Sequence, residues 1–161
     1  MFSELTPQST SVKEAPAYWL LNGLYTVMAT SESTGGAYSL VHISAPPGHG
    51  TPYHIHRNED EAFYVLEGEF TIICDGQKSV VGPGGYIFLP RNIPHGFRCS
   101  ASTPSAMLTL AMPGSGFVGM ITEMEEPAKD RSLPPSAAPD FEKLTRMCAK
   151  HQIEILGPLP E

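Results

Sequence analysis

The sequence predicts an all-β fold, a barrel or sandwich of about ten short strands, with short helices confined to the C-terminal end. Between Tyr18 and Ala111 the chain is a succession of apolar or alternating runs: YWLL, LYTVMAT, AYSLVHIS, PYHIH, EAFYVLE, FTIICD, KSVV, YIFLP, HGFRC and AMLTLA. Runs this short and rich in β-branched and aromatic residues read as strands. Turn formers separate them: NG at 22–23, TGG at 34–36, PPGHG at 46–50, EGE at 67–69, DG at 75–76 and GPGG at 82–85. Fifteen Gly and sixteen Pro therefore act as punctuation, and DG between two apolar runs is a strong two-residue hairpin signal. Charged residues make up only 17% against 41% hydrophobic, which excludes a disordered chain and favours a buried, sheet-rich body.

In chain order, residues 1–16 form a polar arm, 17–112 the barrel, and 113–161 a helical extension packed on it. In FVGMITEME, Phe117, Met120, Ile121 and Met124 follow the spacing of one helical face. The Pro-rich stretch EEPAKDRSLPPSAAP is a connector. Asp140 then caps a second helix whose Phe141, Leu144, Cys148 and His151 share a stripe, and an extended IEIL closes the chain.

A net charge of −7 without a basic cluster argues against nucleic acid and anionic membrane surfaces. The opening segment MFSELTPQSTSVKEAP has neither a basic n-region nor an apolar h-region, and no apolar run has membrane-spanning length. Cys74, Cys99 and Cys148 are odd in number and widely spaced, as expected of reduced, structural thiols. The expected location is the cytoplasm. The arm and an exposed sheet edge predict a homodimer.

His54 and His56 are two apart, so in a strand both imidazoles project to one side. After a polar turn, EAFYVLE runs back beside that strand, with Glu61, Phe63 and Val65 on a common face. His95 follows a proline-pinned turn and heads a strand in which Phe97 and Cys99 share its face. His54, His56, Glu61 and His95 are thus a candidate ligand set for a divalent transition metal: Mn, Fe, Co, Ni, Cu or Zn. Four protein ligands leave one or two positions open, the arrangement of a catalytic metal. Phe63, Val65, Phe97, Phe88 and Met107 would wall an apolar, aromatic substrate pocket beside it. His49, in a Gly-rich turn, reads as exposed or at the rim, His42 as a satisfied core residue, and Glu59 and Asp60 as solvated charges.

The segment GHGTPYHIHRNEDEAFYVLEG resembles the first cupin signature, G-x5-HxH-x3–4-E-x6-G, with every fixed position filled, from Gly48 through His54, His56 and Glu61 to Gly68. The second signature, G-x5-PxG-x2-H-x3-N, is met in part: Gly84, Pro90 and His95 are in place, while Asn92 stands for its glycine and Cys99 for its asparagine. The resemblance covers roughly residues 38–111 and implies a double-stranded β-helix, or jelly-roll, barrel with the three histidines and the glutamate facing its mouth. Within the cupins, YVLEGEFTII, YIFLPRNIPHGFR and the closing IEILGP are similar to single-domain quercetin 2,3-dioxygenase-like proteins. That likeness implies a metal-dependent dioxygenase opening a flavonol or related enol, with dioxygen as co-substrate and Glu61 as both ligand and base. A non-catalytic module binding a small molecule is the alternative, and a sugar isomerase or epimerase a third, disfavoured by the apolar pocket.

Overall fold

A computed structural model describes residues 4–124 and 126–161. The first three residues of the arm and Glu125, at the junction of the first helix and the connector, lie outside them. Among the described residues eleven strands form two antiparallel sheets packed face to face. The larger runs β1 (Ala17–Leu20), β2 (Gly23–Ala29), β3 (Ser39–Ala45), β10 (Ser105–Met112), β5 (Asp60–Glu67), β8 (Tyr86–Leu89). The smaller runs β11 (Ile153–Gly157), β4 (Tyr53–His56), β9 (His95–Cys99), β6 (Phe70–Cys74), β7 (Gln77–Val81). This is the all-β jelly-roll barrel that the resemblance implies.

Period-two alternation decides which side chains fill the interior. In β3, Val41, Ile43 and Ala45 are buried while Leu40, His42 and Ser44 are only half-buried. His42, expected in the core, is therefore on the outer face. Tyr25, Val41, Ile43, Phe63, Val65 and Met107 of the large sheet meet Phe70, Ile72, Phe97 and Cys99 of the small one. Phe97 stands edge-on to both Phe63 and Phe70, with ring centroids 5.6 and 5.8 Å away, the favourable geometry for aromatic pairs.

The turns follow their residue chemistry, with one shift of register. DG makes the β6–β7 turn with Asp75 and Gly76 at φ 50° and 72°, as a type I′ hairpin requires. The NG signal is offset by one: Leu20 pairs with Gly23, so Leu21 and Asn22, at φ 50° and 67°, make the turn and Gly23 begins β2. Asn22 also exchanges two hydrogen bonds of 3.1 Å with the backbone of Ala137, fastening the Pro-rich connector to the barrel. Asn92, where the second signature has glycine, adopts φ 66°, a left-handed geometry that Asn tolerates better than most residues.

Helix α1 (Ser115–Glu123) buries Phe117, Val118, Met120 and Ile121, and Met124 just beyond it is buried too. Helix α2 (Phe141–Lys150) begins at Asp140, whose side chain accepts from the Lys143 N–H at 2.9 Å. Leu144 and Cys148 are buried, but Phe141 is 55% exposed. The expected stripe starts one turn too early, because at the first helical residue the chain is still entering from the surface connector. The segment IEILG pairs along β4 as β11 and so belongs to the small sheet. Among the described residues no helix is long and apolar enough to cross a membrane.

Gly68 turns from β5 to β6 at φ 72°, and a Cβ there would collide with the Ser105 side chain. We expect Gly68→Ala to lower stability by roughly 2–4 kcal/mol, the sum of left-handed strain and overpacking. The shift in urea midpoint at unchanged slope measures it; an unshifted midpoint would show that the turn relaxes freely.

Candidate metal centre

His54, His56, Glu61 and His95 come together: one ligand atom from each lies within 4.8 Å of all the others. β4 carries His54 and His56, β9 carries His95, and the two strands pair at His54 and His95. Glu61 arrives from the other sheet. β5 does not run back beside β4, as the sequence suggested, but pairs with β10 and β8. The chain between His56 and Asp60 crosses from one sheet to the other, so the carboxylate faces the imidazoles across the interior.

The histidines share a protonation pattern. His54 Nδ1 donates to the carbonyl of Pro52 at 2.8 Å and His95 Nδ1 to that of Ile93 at 3.0 Å. His56 Nδ1 donates to Glu59 Oε2 at 3.3 Å. Each acceptor fixes the proton on Nδ1, so in the neutral rings all three Nε2 atoms carry lone pairs. His95 Nε2 and His56 Nε2 lie 2.9 and 3.4 Å from Glu61 Oε2. Three lone pairs and an anionic oxygen thus face each other at contact distance, with His56, Glu61 and His95 buried and His54 half-buried. Either an Nε2 proton, as in the 2.9 Å hydrogen bond between His95 and Glu61, or a cation can satisfy this arrangement, and the donor set suits a divalent transition metal with open positions.

The titration behaviour follows. Burial alone would raise the Glu61 carboxyl, but His56, the hydrogen bond and charge of His95, and His54 outweigh it and bring it down to about 2. Burial pushes His54 below the usual imidazole range, as do His95 and His56. Burial also works against a charge on His56, but Glu61 and the hydrogen bond and charge of Glu59 raise it overall.

Glu59 is only 2% exposed, not the solvated charge expected of a turn residue. It accepts from the backbone N–H groups of Gly116 and Phe117 at 2.7 and 2.8 Å as well as from His56. Nothing local to the turn could reveal partners more than fifty residues away. Asp60 does behave as a surface charge and pairs with Arg91 at 2.9 Å. His49, expected at the rim, is buried: its Nδ1 donates to the Leu21 carbonyl at 2.6 Å, and its Nε2 accepts from the Tyr25 hydroxyl at 3.1 Å. Burial and the Glu61 charge push the Tyr25 hydroxyl up, keeping it protonated. Strand parity could have placed Tyr25, because it shares a face with Val27 in β2.

Beside the four residues lies a cavity of about 50 Å³, walled by Tyr25, Phe63, Phe97 and Thr109 from the barrel. Phe117 and Met120 of α1, Leu144 of α2 and Ile153 of β11 roof it. Such a space holds an ion with a few waters. Phe63 and Phe97 stand where parity put them, whereas three other expected pocket residues do not. Val65 and Met107 pair with each other one pleat deeper and are consumed by the core. Phe88 is 48% exposed, because Leu89, not Phe88, stands opposite Glu61 and takes the inward parity.

Residues 41–111 match the family described as Cupin domain, so this stretch of the barrel is a cupin domain. The chain's relatives include quercetin 2,3-dioxygenase of Bacillus subtilis (strain 168), 33% identical over 97 residues that cover 59% of this chain and 28% of that protein. Quercetin 2,3-dioxygenase of Aspergillus japonicus is 29% identical over 119 residues, covering 70% of this chain and 33% of that one. The chain therefore spans about a third or less of these two relatives. A predicted oxalate decarboxylase from Thermotoga maritima superposes with TM-score 0.62 at 18% identity, over 65% of this chain and 98% of that one, a likeness of fold.

If the four residues form one centre, His54→Ala, His56→Ala and His95→Ala each lose most of the bound metal while the barrel stays folded. Metal content after reconstitution with several divalent ions, read beside circular dichroism, tests this. Wild-type protein holding none of them at micromolar concentration would rule the centre out.

Proposed function

We propose that this chain is a metal-dependent cupin dioxygenase that opens a flavonol or a related small aromatic enol. The observation that carries it is the convergence of three imidazole Nε2 atoms and the Glu61 carboxylate beside an aromatic wall; the quercetin dioxygenase relatives support the substrate class. A divalent transition metal held by His54, His56, Glu61 and His95 would supply Lewis-acid activation of a substrate hydroxyl and open positions for substrate and dioxygen. The protein's own part is proton handling and exclusion of water. Glu61 is ionised at neutral pH, so an oxygen is free to accept the proton of the enolic hydroxyl. A carboxylate held within reach of a substrate hydroxyl is the usual general base for such a step. Thr109, buried and without a protein partner among the described residues, can donate its hydroxyl to a second substrate oxygen.

The cavity holds far less than a flavonol, so substrate entry requires the roof of α1, α2 and β11 to move. An outer groove shares Leu21, Thr51, Pro52, Phe97 and Ile155 with the cavity and is the route of entry in this proposal. We place the protein in the cytoplasm, where its three free thiols stay reduced.

Oxygen uptake by metal-loaded protein with a panel of flavonols and catechols tests the activity. Rapid uptake is expected with a flavonol, and Glu61→Gln should cut turnover about 10²–10⁴-fold, the usual worth of a general base, while weakening metal binding less. Tight ligand binding without uptake would instead identify a binding module.

A second copy of this chain is the partner we propose. Tyr64 and Tyr86 stand opposite each other on the outer face, 42% and 64% exposed, beside Phe88 and Leu66. β8 pairs only with β5 among the described residues and leaves one edge open. Two copies pairing β8 with β8 about a two-fold axis would cover the edge and the patch together. Sedimentation should show a dimer that Tyr86→Glu converts to a folded monomer; a monomeric wild type at micromolar concentration would contradict the pairing.

A further inference from the structure

Glu59 carries a charge into the interior, and a buried carboxylate is costly unless its oxygens are satisfied. All three of its donors are specific. Oε1 accepts from the Gly116 N–H, and Oε2 from the Phe117 N–H and from His56 Nδ1. The first two belong to the N-terminal end of α1, where residue 114 is a glycine and no side chain of the helix's own flank caps it. Glu59 thus supplies from the barrel the negative group that the free N–H groups and dipole of α1 favour. Gly116 makes the approach possible: a Cβ there would lie 2.9 Å from Glu59 Oε2 and 2.9 Å from the His151 carbonyl. Phe117 completes the unit, with its ring edge-on to His56 at 6.3 Å and forming part of the roof.

We propose that Glu59 is a positioning residue that couples His56 to the roof helix α1, so that an occupied metal centre and a closed roof stabilise each other. The inference rests on the metal centre proposed above. When α1 is docked, Glu59 is held by three donors and keeps the His56 proton on Nδ1, aiming Nε2 at the centre. When α1 lifts, two donors leave, and the carboxylate is free to follow water away from the ring. A cation on Nε2 polarises the imidazole and strengthens Nδ1–H as a donor, which holds the Glu59 side chain in place for the helix N-terminus. By linkage, whatever α1 docking adds to metal affinity, metal adds to α1 docking. The roof that must move for substrate entry is thereby tied to the centre where the substrate would bind.

The experiment uses untagged full-length protein, Ni²⁺ titration calorimetry, and amide hydrogen exchange over residues 115–123 with and without Ni²⁺. In the wild type, saturating Ni²⁺ should slow exchange in α1 several-fold. Glu59→Gln should weaken Ni²⁺ binding about 10–100-fold, as loss of a carboxylate behind a ligand histidine typically does, and should shrink the protection. Gly116→Ala, which touches no proposed ligand, should weaken Ni²⁺ binding in the same direction by displacing Glu59 from the helix side. Thr122→Ala, on the exposed face of α1, should change neither. Ni²⁺ affinities within twofold of wild type in both Glu59→Gln and Gly116→Ala, with α1 exchange merely faster, would reduce Glu59 to a helix cap and overturn the coupling. Ni²⁺ binding to wild type without any response in α1 would overturn it too and leave the centre standing. No binding to wild type would overturn both.

Discussion

Four electron-pair donors turned toward one point inside an apolar barrel form an arrangement that water alone would not assemble. Each neutral imidazole offers a lone pair there because its other nitrogen is committed to a carbonyl or to Glu59, and Glu61 adds a negative charge. Without a metal, protons on Nε2 bridge the imidazoles to Glu61, as at the 2.9 Å contact of His95; a metal ion would replace those protons and engage every member at once. The surrounding structure serves this point. Two sheets bring three of these side chains from one side and one from the other, and the roof shields them from bulk water, which raises the worth of every charge inside.

The sequence was most informative where a local rule sets a side chain's direction. Two-residue spacing put His54 and His56 on one face, and the same parity placed Phe63 with Glu61 and Phe97 with His95. It said less about which strands become neighbours. β4 and β5 follow one another in sequence yet lie in different sheets, because the four residues between His56 and Glu61 cross the interior instead of closing a hairpin. Phe88 shows that apolar character does not reveal parity: in the short run YIFL, Leu89 faces inward and Phe88 outward. Glu59 was illegible for a different reason. A glutamate in a polar turn reads as solvated, and only the tertiary approach of α1 buries it.

Departures from the second cupin signature are absorbed locally. Asn92 takes the left-handed backbone that glycine would take, and Cys99 is buried with its Sγ 3.2 Å from Ser105 Oγ. Ser105 is also the side chain that excludes a Cβ at Gly68. The glycine of the first signature and the cysteine that departs from the second are therefore packed against one serine.

The distance between the sheets is what makes the centre possible, and the aromatic core sets it. Glu61 hangs from one sheet and His95 from the other, yet they meet at 2.9 Å. One pleat beneath each lies a phenylalanine, Phe63 under Glu61 and Phe97 under His95, and these rings contact edge to face at 5.6 Å and 85°. The pair is a spacer directly below the site: a smaller side chain would let the sheets sag, and a bulkier one would hold the carboxylate away from the imidazoles. Both rings also line the cavity. Core filler and pocket wall are thus the same two residues, and truncating either ring would disturb stability, ligand geometry and pocket shape at once. Separating these effects requires metal affinity to be read beside stability in each variant, because a folded barrel with a loosened centre and an intact centre with an enlarged pocket would both lose activity.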